Sequence, residues 1–138
     1  MSPILYIDSS DRDRIIVKLV EQGSTIATLG RASRNGHSVT IIPAIQILLR
    51  RAKRILQSIS GVAVVGGPGP FTAVRVGVVV ANALAWSLGV PVHGISQNDF
   101  LLSSEERVGV RWHDSRQRKF RPVMPVYGAE PNITIART

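Results

Sequence analysis

Apolar and polar positions fall in blocks along this chain, and the blocks differ in period. Ile4 to Ile7 is a short apolar run that breaks at Asp8-Ser9-Ser10, the pattern of a buried strand ending in a polar turn. Ile15 to Val20 is rich in β-branched residues; Gln22-Gly23 supplies a turn, and Thr25 to Leu29 completes a predicted hairpin. Gly30 to Gly36 reads as a polar loop carrying Arg31, Arg34 and Asn35. Beyond it, Ile41, Ile42, Ile45, Leu48, Leu49, Ala52, Ile55 and Leu56 recur at three- and four-residue spacing. A helix is therefore predicted from Thr40 to Gln57, with Arg50, Arg51, Lys53 and Arg54 mostly outside its apolar stripe. Ser38 or Thr40 could cap it. Pro43 belongs in a first turn, which favours Thr40.

Gly61 breaks this pattern, and Val62 to Val65 is a continuous apolar run, typical of a strand covered on both faces. A second helix is predicted from about Phe71 to Leu88, ended by Gly89. Val90 to Ile95 reads as another strand and Gln97 to Ser103 as a short helix. Strands alternating with helices predict an α/β fold: a mixed sheet in which an N-terminal β-hairpin joins parallel strands flanked by helices. After Ser104 the character changes. Residues 107–121 carry Arg107, Arg111, Arg116, Arg118, Lys119 and Arg121 against Asp114 alone. The expected division is a first domain over 1–104, then a basic tail or the start of a second domain over 105–138. Val123 to Tyr127 and Ile133 to Ile135 are candidate strands there.

Composition supports a folded domain: 138 residues, 44% hydrophobic and 19% charged, are enough to bury a core. The absence of cysteine excludes disulfides, cysteine zinc sites and thiol nucleophiles, and a reducing compartment fits. The N-terminus lacks the basic start and long apolar run of a signal peptide. The apolar stretch Val76 to Leu88, interrupted by Asn82 and Ser87, is short for a bilayer span. A soluble cytoplasmic protein is expected. The net charge of +8 raises affinity for nucleic acid, and residues 107–121 are the candidate RNA contact. Only Trp112 and Phe120 interleave those cations, which favours a solvated face over a base-stacking one.

The candidate chemistry centres on GGPGPFTAVRVG, residues 66–77. A phosphate cradle needs converging backbone N–H groups, and Pro68 and Pro70 have none. The lysine and hydroxyl residue of a P-loop are missing, and the spacing is not that of a dinucleotide fingerprint. The turn is better read as a close chain reversal, with Pro70 directing the start of a helix. That helix, VRVGVVVANALAWSLG, is apolar nearly all round and asks for cover on more than one side. Gly77, Ala81 and Ala85 form a small-residue track that would let a second helix approach closely, either a partner's or the first helix of this chain.

GPGPFTAVRVG resembles the GPGSFTGxRxG signature of the TsaB (YeaZ) family, bacterial proteins needed to make threonylcarbamoyladenosine in tRNA. The matching turn residues are Gly67, Pro68, Gly69, Phe71, Thr72 and Arg75, with Ala73 in place of the usual Gly. ILYIDSS is similar to that family's first strand, Gly36-His37-Ser38 with Ile41-Ile42-Pro43 to the start of its first helix, and Gly89-Val90-Pro91 with Gly94-Ile95-Ser96 to a later strand. Asp114-Ser115-Arg116 and Val126-Tyr127 resemble, more loosely, the hairpin that opens the family's second domain. Members usually have two domains, so a truncated or reduced form is expected.

The resemblance implies a fold like that of actin, the large heat-shock chaperones and sugar kinases (ASKHA). It implies a non-catalytic subunit that binds and activates a paralogous TsaD-type threonylcarbamoyl transferase, with ATP and Mg²⁺ on the partner, no cofactor of its own, and tRNA reached indirectly or through residues 107–121. It also implies that homodimers can form. The implied partner interface comprises Ile41, Ile45 and Leu48 on the first helix and Thr72, Val76, Val79, Val80 and Ala83 on the second. The transferase holds metal with two His at i, i+4; here Ile41 stands four residues after His37, so no metal site is expected and His37 is read as a loop or cap residue. The alternative is a small nucleotide-binding enzyme of the same fold, a phosphotransferase or peptidase-like remnant, using Asp8, Ser9, Ser10 and the glycine turn. Asp11 and Asp13 beside that strand end would repel phosphate unless a metal intervened.

Overall fold

A computed structural model describes residues 2–101 and 120–125. Five strands, β1 (Ile4–Asp8), β2 (Arg14–Glu21), β3 (Ser24–Ala32), β4 (Gly61–Val65) and β5 (Val92–Ile95), form one mixed sheet in the order β3-β2-β1-β4-β5. The β1–β2 and β2–β3 pairs are antiparallel, and β1, β4 and β5 run parallel. Helices α1 (His37–Ala52) and α2 (Phe71–Leu88) link the parallel strands, and the short α3 (Gln97–Leu101) follows β5. This is the α/β architecture that the alternation of strand and helix patterns predicts.

Two cores follow from the two-residue period of the strands. Leu5 and Ile7 of β1, Ile15, Val17 and Leu19 of β2, and Val62 and Val64 of β4 share one core with the buried faces of α1 and α2. Tyr6, Val20, Ala63, Val65 and Ile95 share the other with Phe100 of α3. β4 is buried along its whole length, as its unbroken apolar run requires. α2 is long and apolar enough to cross a membrane by length and composition. Its buried residues, however, belong to the core over β1 and β4.

The structure corrects α1 at both ends. The helix begins at His37, three residues before the predicted start, because Gly36 takes the N-cap with φ 97°. The Thr40 hydroxyl bonds back to the Gly36 carbonyl at 2.9 Å and is not a cap. Pro43 therefore lies inside the helix, where it cannot donate to the Val39 carbonyl. Both residues face solvent, which limits the cost. The helix stops at Ala52 because Lys53 turns left-handed (φ 55°), with Lys53 N–H on Arg50 O and Arg54 N–H on Leu49 O. Ile55 and Leu56 thus leave the stripe; Ile55 is exposed and Leu56 opens a short 3-10 turn. Arg54 instead reaches β2, bonding Glu21 at 2.8 Å, which holds the Glu21 carboxyl below the usual range.

Of residues 105–138, only 120–125 are among those described; most of the basic stretch and the candidate strand Ile133 to Ile135 lie outside them. Leu48, fully buried between α1 and the sheet, gives the test of this core. Leu48→Ala is expected to lower stability by about 2–5 kcal/mol in urea unfolding, the range for a truncated core leucine.

Candidate functional site

The end of β1 is pinned to α2 by one hydroxyl. Ser9 Oγ donates to the Ala73 carbonyl at 2.6 Å and accepts the Gly77 N–H at 3.0 Å, both in a buried setting. Ala73 O and Gly77 N stand at i and i+4, the pair that bonds directly in a regular helix. The serine bridges the two groups and so ties strand to helix at a fixed height. Gly77 is what makes this approach possible: a Cβ there would collide with Ser9 Oγ and stand 3.0 Å from Ser9 Cβ. Gly69 has a similar part, since a Cβ there would stand 2.7 Å from Val74 Cγ2 and 3.1 Å from Ser10 O. The two serines after Asp8 thus interlock with Gly69 of the turn and Gly77 of α2. The Gly67–Pro68 peptide is cis.

Beside this lock sits a small polar cluster at the carboxyl ends of the parallel strands. Asp8 Oδ1 accepts from the Ser10 N–H at 2.9 Å and from the Ser10 hydroxyl at 2.6 Å. Gln97 Nε2 donates to Ser10 Oγ at 2.6 Å. Of the three residues considered for nucleotide binding, Ser9 is buried in the lock, whereas Asp8 and Ser10 form the cluster. On the same sheet face, Lys18 Nζ donates to Phe100 O at 2.7 Å and lies 4.5 Å from that ring's centre. Burial pushes the Lys18 ammonium pKa down, and the Asp8 charge partly opposes this. Burial also lowers that of His93 on β5.

His37 is the first residue of α1. Its Nε2 lies 2.6 Å from the Asp11 carbonyl and its Nδ1 2.6 Å from the Ser33 hydroxyl. A carbonyl can only accept, so Nε2 donates to Asp11 O, and Nδ1 shares a hydrogen bond with the Ser33 hydroxyl. The ring staples the β1–β2 turn to the loop before α1, and both nitrogens are engaged.

The placement of the anticipated interface residues divides in two. Ile41, Ile45 and Leu48 are buried in the core against the sheet, so the apolar stripe of α1 is its inner face and does not form the surface expected of it. The exposed apolar residues of α1 are Val39 and Ile42. On α2, Thr72, Val79 and Ala83 are exposed, while Val76 and Val80 are half-buried beside the core. Gly77, Ala81 and Ala85, the small-residue track, face inward and let α2 settle on β1 and β4 rather than on a partner helix. Val79 is 55% and Trp86 70% exposed, and Phe71 and Arg75 share their side of the helix. Of the signature turn, Phe71, Thr72 and Arg75 face solvent, whereas Gly69 is spent on the lock.

Sequence reasoning missed Trp86 and Asn82. Asn82 Nδ2 donates to Val123 O at 2.9 Å, and its Oδ1 accepts the Val123 N–H at 2.8 Å. A single amide side chain inside an apolar helix was the available signal for that contact.

The lock generates a paired prediction. Gly77→Ala is expected to destabilise by about 1–3 kcal/mol, as overpacking does. Ser9→Gly in the same chain, which removes the colliding hydroxyl, should recover part of that loss in thermal unfolding. Additive losses in the double-mutant cycle would contradict the interlock.

The family model described as TsaD, tRNA N6-adenosine threonylcarbamoyltransferase, matches residues 30–108, more than half of the chain. The tRNA threonylcarbamoyladenosine biosynthesis protein TsaB of Bacillus subtilis is 35% identical over 101 residues, 73% of this chain and 44% of that protein. A tRNA N6-adenosine threonylcarbamoyltransferase of Vesicomyosocius okutanii is 45% identical over 71 residues, 51% of this chain and 20% of that one. The solved structure of YeaZ from Pseudomonas aeruginosa superposes with a TM-score of 0.63 at 30% identity, over 70% of this chain and 44% of that one. The mixed sheet and its helices are thus those of the actin- and sugar-kinase-like (ASKHA) domain. The chain spans less than half the length of the TsaB protein it matches. On these similarities, the chain belongs to the TsaB family.

Proposed function

We propose that this chain is a non-catalytic subunit in the biosynthesis of N6-threonylcarbamoyladenosine in tRNA, docking onto and activating a TsaD-type transferase. The observation that carries this reading is the outer face of α2, where Phe71, Val79 and Trp86 are exposed apolar side chains with Thr72 and Ala83, joined by exposed Val39 and Ile42 on α1. Large apolar groups clustered on helix surfaces mark interaction sites, and Trp is among the residues that dominate binding energy. The family's participation in this pathway and the match to the TsaD model support the identity of the partner. In this reading ATP, Mg²⁺ and the transfer chemistry belong to the partner, the complex works in the cytoplasm, and tRNA is met through the assembly.

The alternative, a small nucleotide-binding enzyme, draws on the position of Asp8 and Ser10, since ligands of open α/β sheets bind outside the carboxyl ends of the strands. Against it, Ser9 has its hydroxyl committed to α2, and Ser10 and Gln97 are already bonded around Asp8.

Val79→Asp is the discriminating variant, because the side chain is exposed and its loss spares the core. It is expected to weaken association with a TsaD-type transferase by at least about 30-fold, the effect of losing a hot spot of about 2 kcal/mol, with the thermal midpoint unchanged. Calorimetric titration of the wild-type chain with the transferase, and separately with ATP and Mg²⁺, checks it. Wild-type affinity in Val79→Asp would sink the docking reading, and heat from nucleotide with the chain alone would favour the enzyme.

A further inference from the structure

The seam between α2 and β5 holds a distant piece of the chain, residues 120–125. We propose that this seam is a peptide-binding slot, made for an extended segment that places a valine-sized side chain between prolines, and that residues 120–125 occupy it as a ligand carried by the chain itself. The slot does not depend on the docking reading.

The segment is gripped as a ligand is. The Asn82 carboxamide donates to Val123 O at 2.9 Å and accepts the Val123 N–H at 2.8 Å, so one side chain meets both backbone groups of one residue. Such a clamp fixes the path of a backbone whatever side chain it carries. Selectivity comes from the seat beneath. A Cβ on Gly94 would stand 3.0 Å from Val123 Cγ1, tighter than ordinary packing, so glycine at that strand position leaves the room that the valine takes. The same methyl would stand 3.6 Å from a Cβ on Gly66, an ordinary contact, which places the valine over the end of β4 as well. Val123 packs against the core that α2 shares with the parallel strands. Val123 and Pro125 are half-buried while Met124 between them is exposed, so the segment alternates in and out as an extended chain does.

The segment is not a strand of the sheet. β5 is an edge strand, paired with β4 on one side, and a sixth strand would form a ladder along its other side. Residues 123–125, where the sequence predicts a strand to start, take no strand conformation. Among the described residues, the hydrogen bonds of residues 120–125 are the two to Asn82. Proline explains this. Pro122 and Pro125 have no N–H to give to a ladder. Each also biases the residue before it, Arg121 or Met124, towards extended backbone, so the segment gives up little freedom on seating. It can leave without breaking a ladder bond of the sheet. Asn82 then presents a donor and an acceptor spaced for another extended backbone of the same pattern, above a seat that Gly94 keeps open.

The test uses the full chain with Val123→Asp, which expels the segment by placing a carboxylate in an apolar seat. This variant is expected to stay folded, to shift the Asn82 side-chain amide signals in NMR, and to bind a capped peptide of residues 120–125 added in trans, which returns those signals to their wild-type positions. By calorimetry, the same peptide carrying Val123→Asp is expected to bind at least about tenfold more weakly, and so is the unchanged peptide when Asn82→Leu is added to the emptied chain. In the wild-type chain, the Val123 amide should exchange its hydrogen through local opening, faster than the Val64 amide of β4. No binding of the peptide to the folded Val123→Asp chain at millimolar concentration overturns the slot. Undiminished binding of the substituted peptide overturns the seat, and undiminished binding to the Asn82→Leu chain overturns the clamp. Failure of Val123→Asp to fold, or Val123 exchange as slow as that of Val64, overturns the segment as a ligand, because a part that leaves only when the whole chain unfolds belongs to the core.

Discussion

A single hydroxyl between strand and helix sets the geometry of everything beyond it. Ser9 holds the carbonyl of Ala73 and the amide of Gly77. Once the hydroxyl bridges those groups, neither the height nor the rotation of α2 over β1 is free. Gly77, Ala81 and Ala85 must then face the sheet, and Val79, Ala83 and Trp86 must face away. Gly69 and Gly77 thus serve packing first. At both, serine and neighbouring atoms come too close for a Cβ, which accounts for these glycines beside prolines where a phosphate cradle needs donors.

The consequence for function is indirect. The end of β1 is where a nucleotide would be sought in a fold of this kind, yet its serines are engaged with the protein itself. What the lock presents outward is an apolar helix flank on which Arg75 is exposed, in a helix that itself contains no carboxylate. Such a surface is shaped by the need to bury the other flank. The inner side of α2 takes the small residues, so larger side chains such as Val79 and Trp86 stand in solvent.

Much of the fold was legible because period encodes burial. Four of the strands and α2 lie within two residues of where alternation, apolar runs and the flanking Pro70 and Gly89 place them, whereas β3 continues through Gly30–Ala32, which read as loop, because β2 pairs with it there. α1 was legible as a helix but not in its limits. Its apolar spacing continues through Ile55 and Leu56, and only the left-handed turn at Lys53 and the pinning of His37 show where the helix ends and begins. The exposure of the candidate interface residues was not legible. Periodicity shows that a helix has an apolar stripe, but not whether that stripe meets its own sheet or another protein. Hence Ile41, Ile45 and Leu48 proved to be core, while Thr72, Val79 and Ala83 lie on the surface. Asn82 was visible as an interruption, and its role depends on Val123, far along the chain.

By itself, the order of residues determined the secondary structure, the α/β class and the family, because local spacing and a contiguous signature need no knowledge of neighbours in space. Only the tertiary structure decided which side of each helix is hidden, what the serines and glycines hold, and which segment Asn82 grips. Those are contacts between residues some forty to seventy positions apart in sequence, such as Ser9 with Ala73 and Gly77, and Asn82 with Val123. Their geometry arises only when the sheet brings distant chain together.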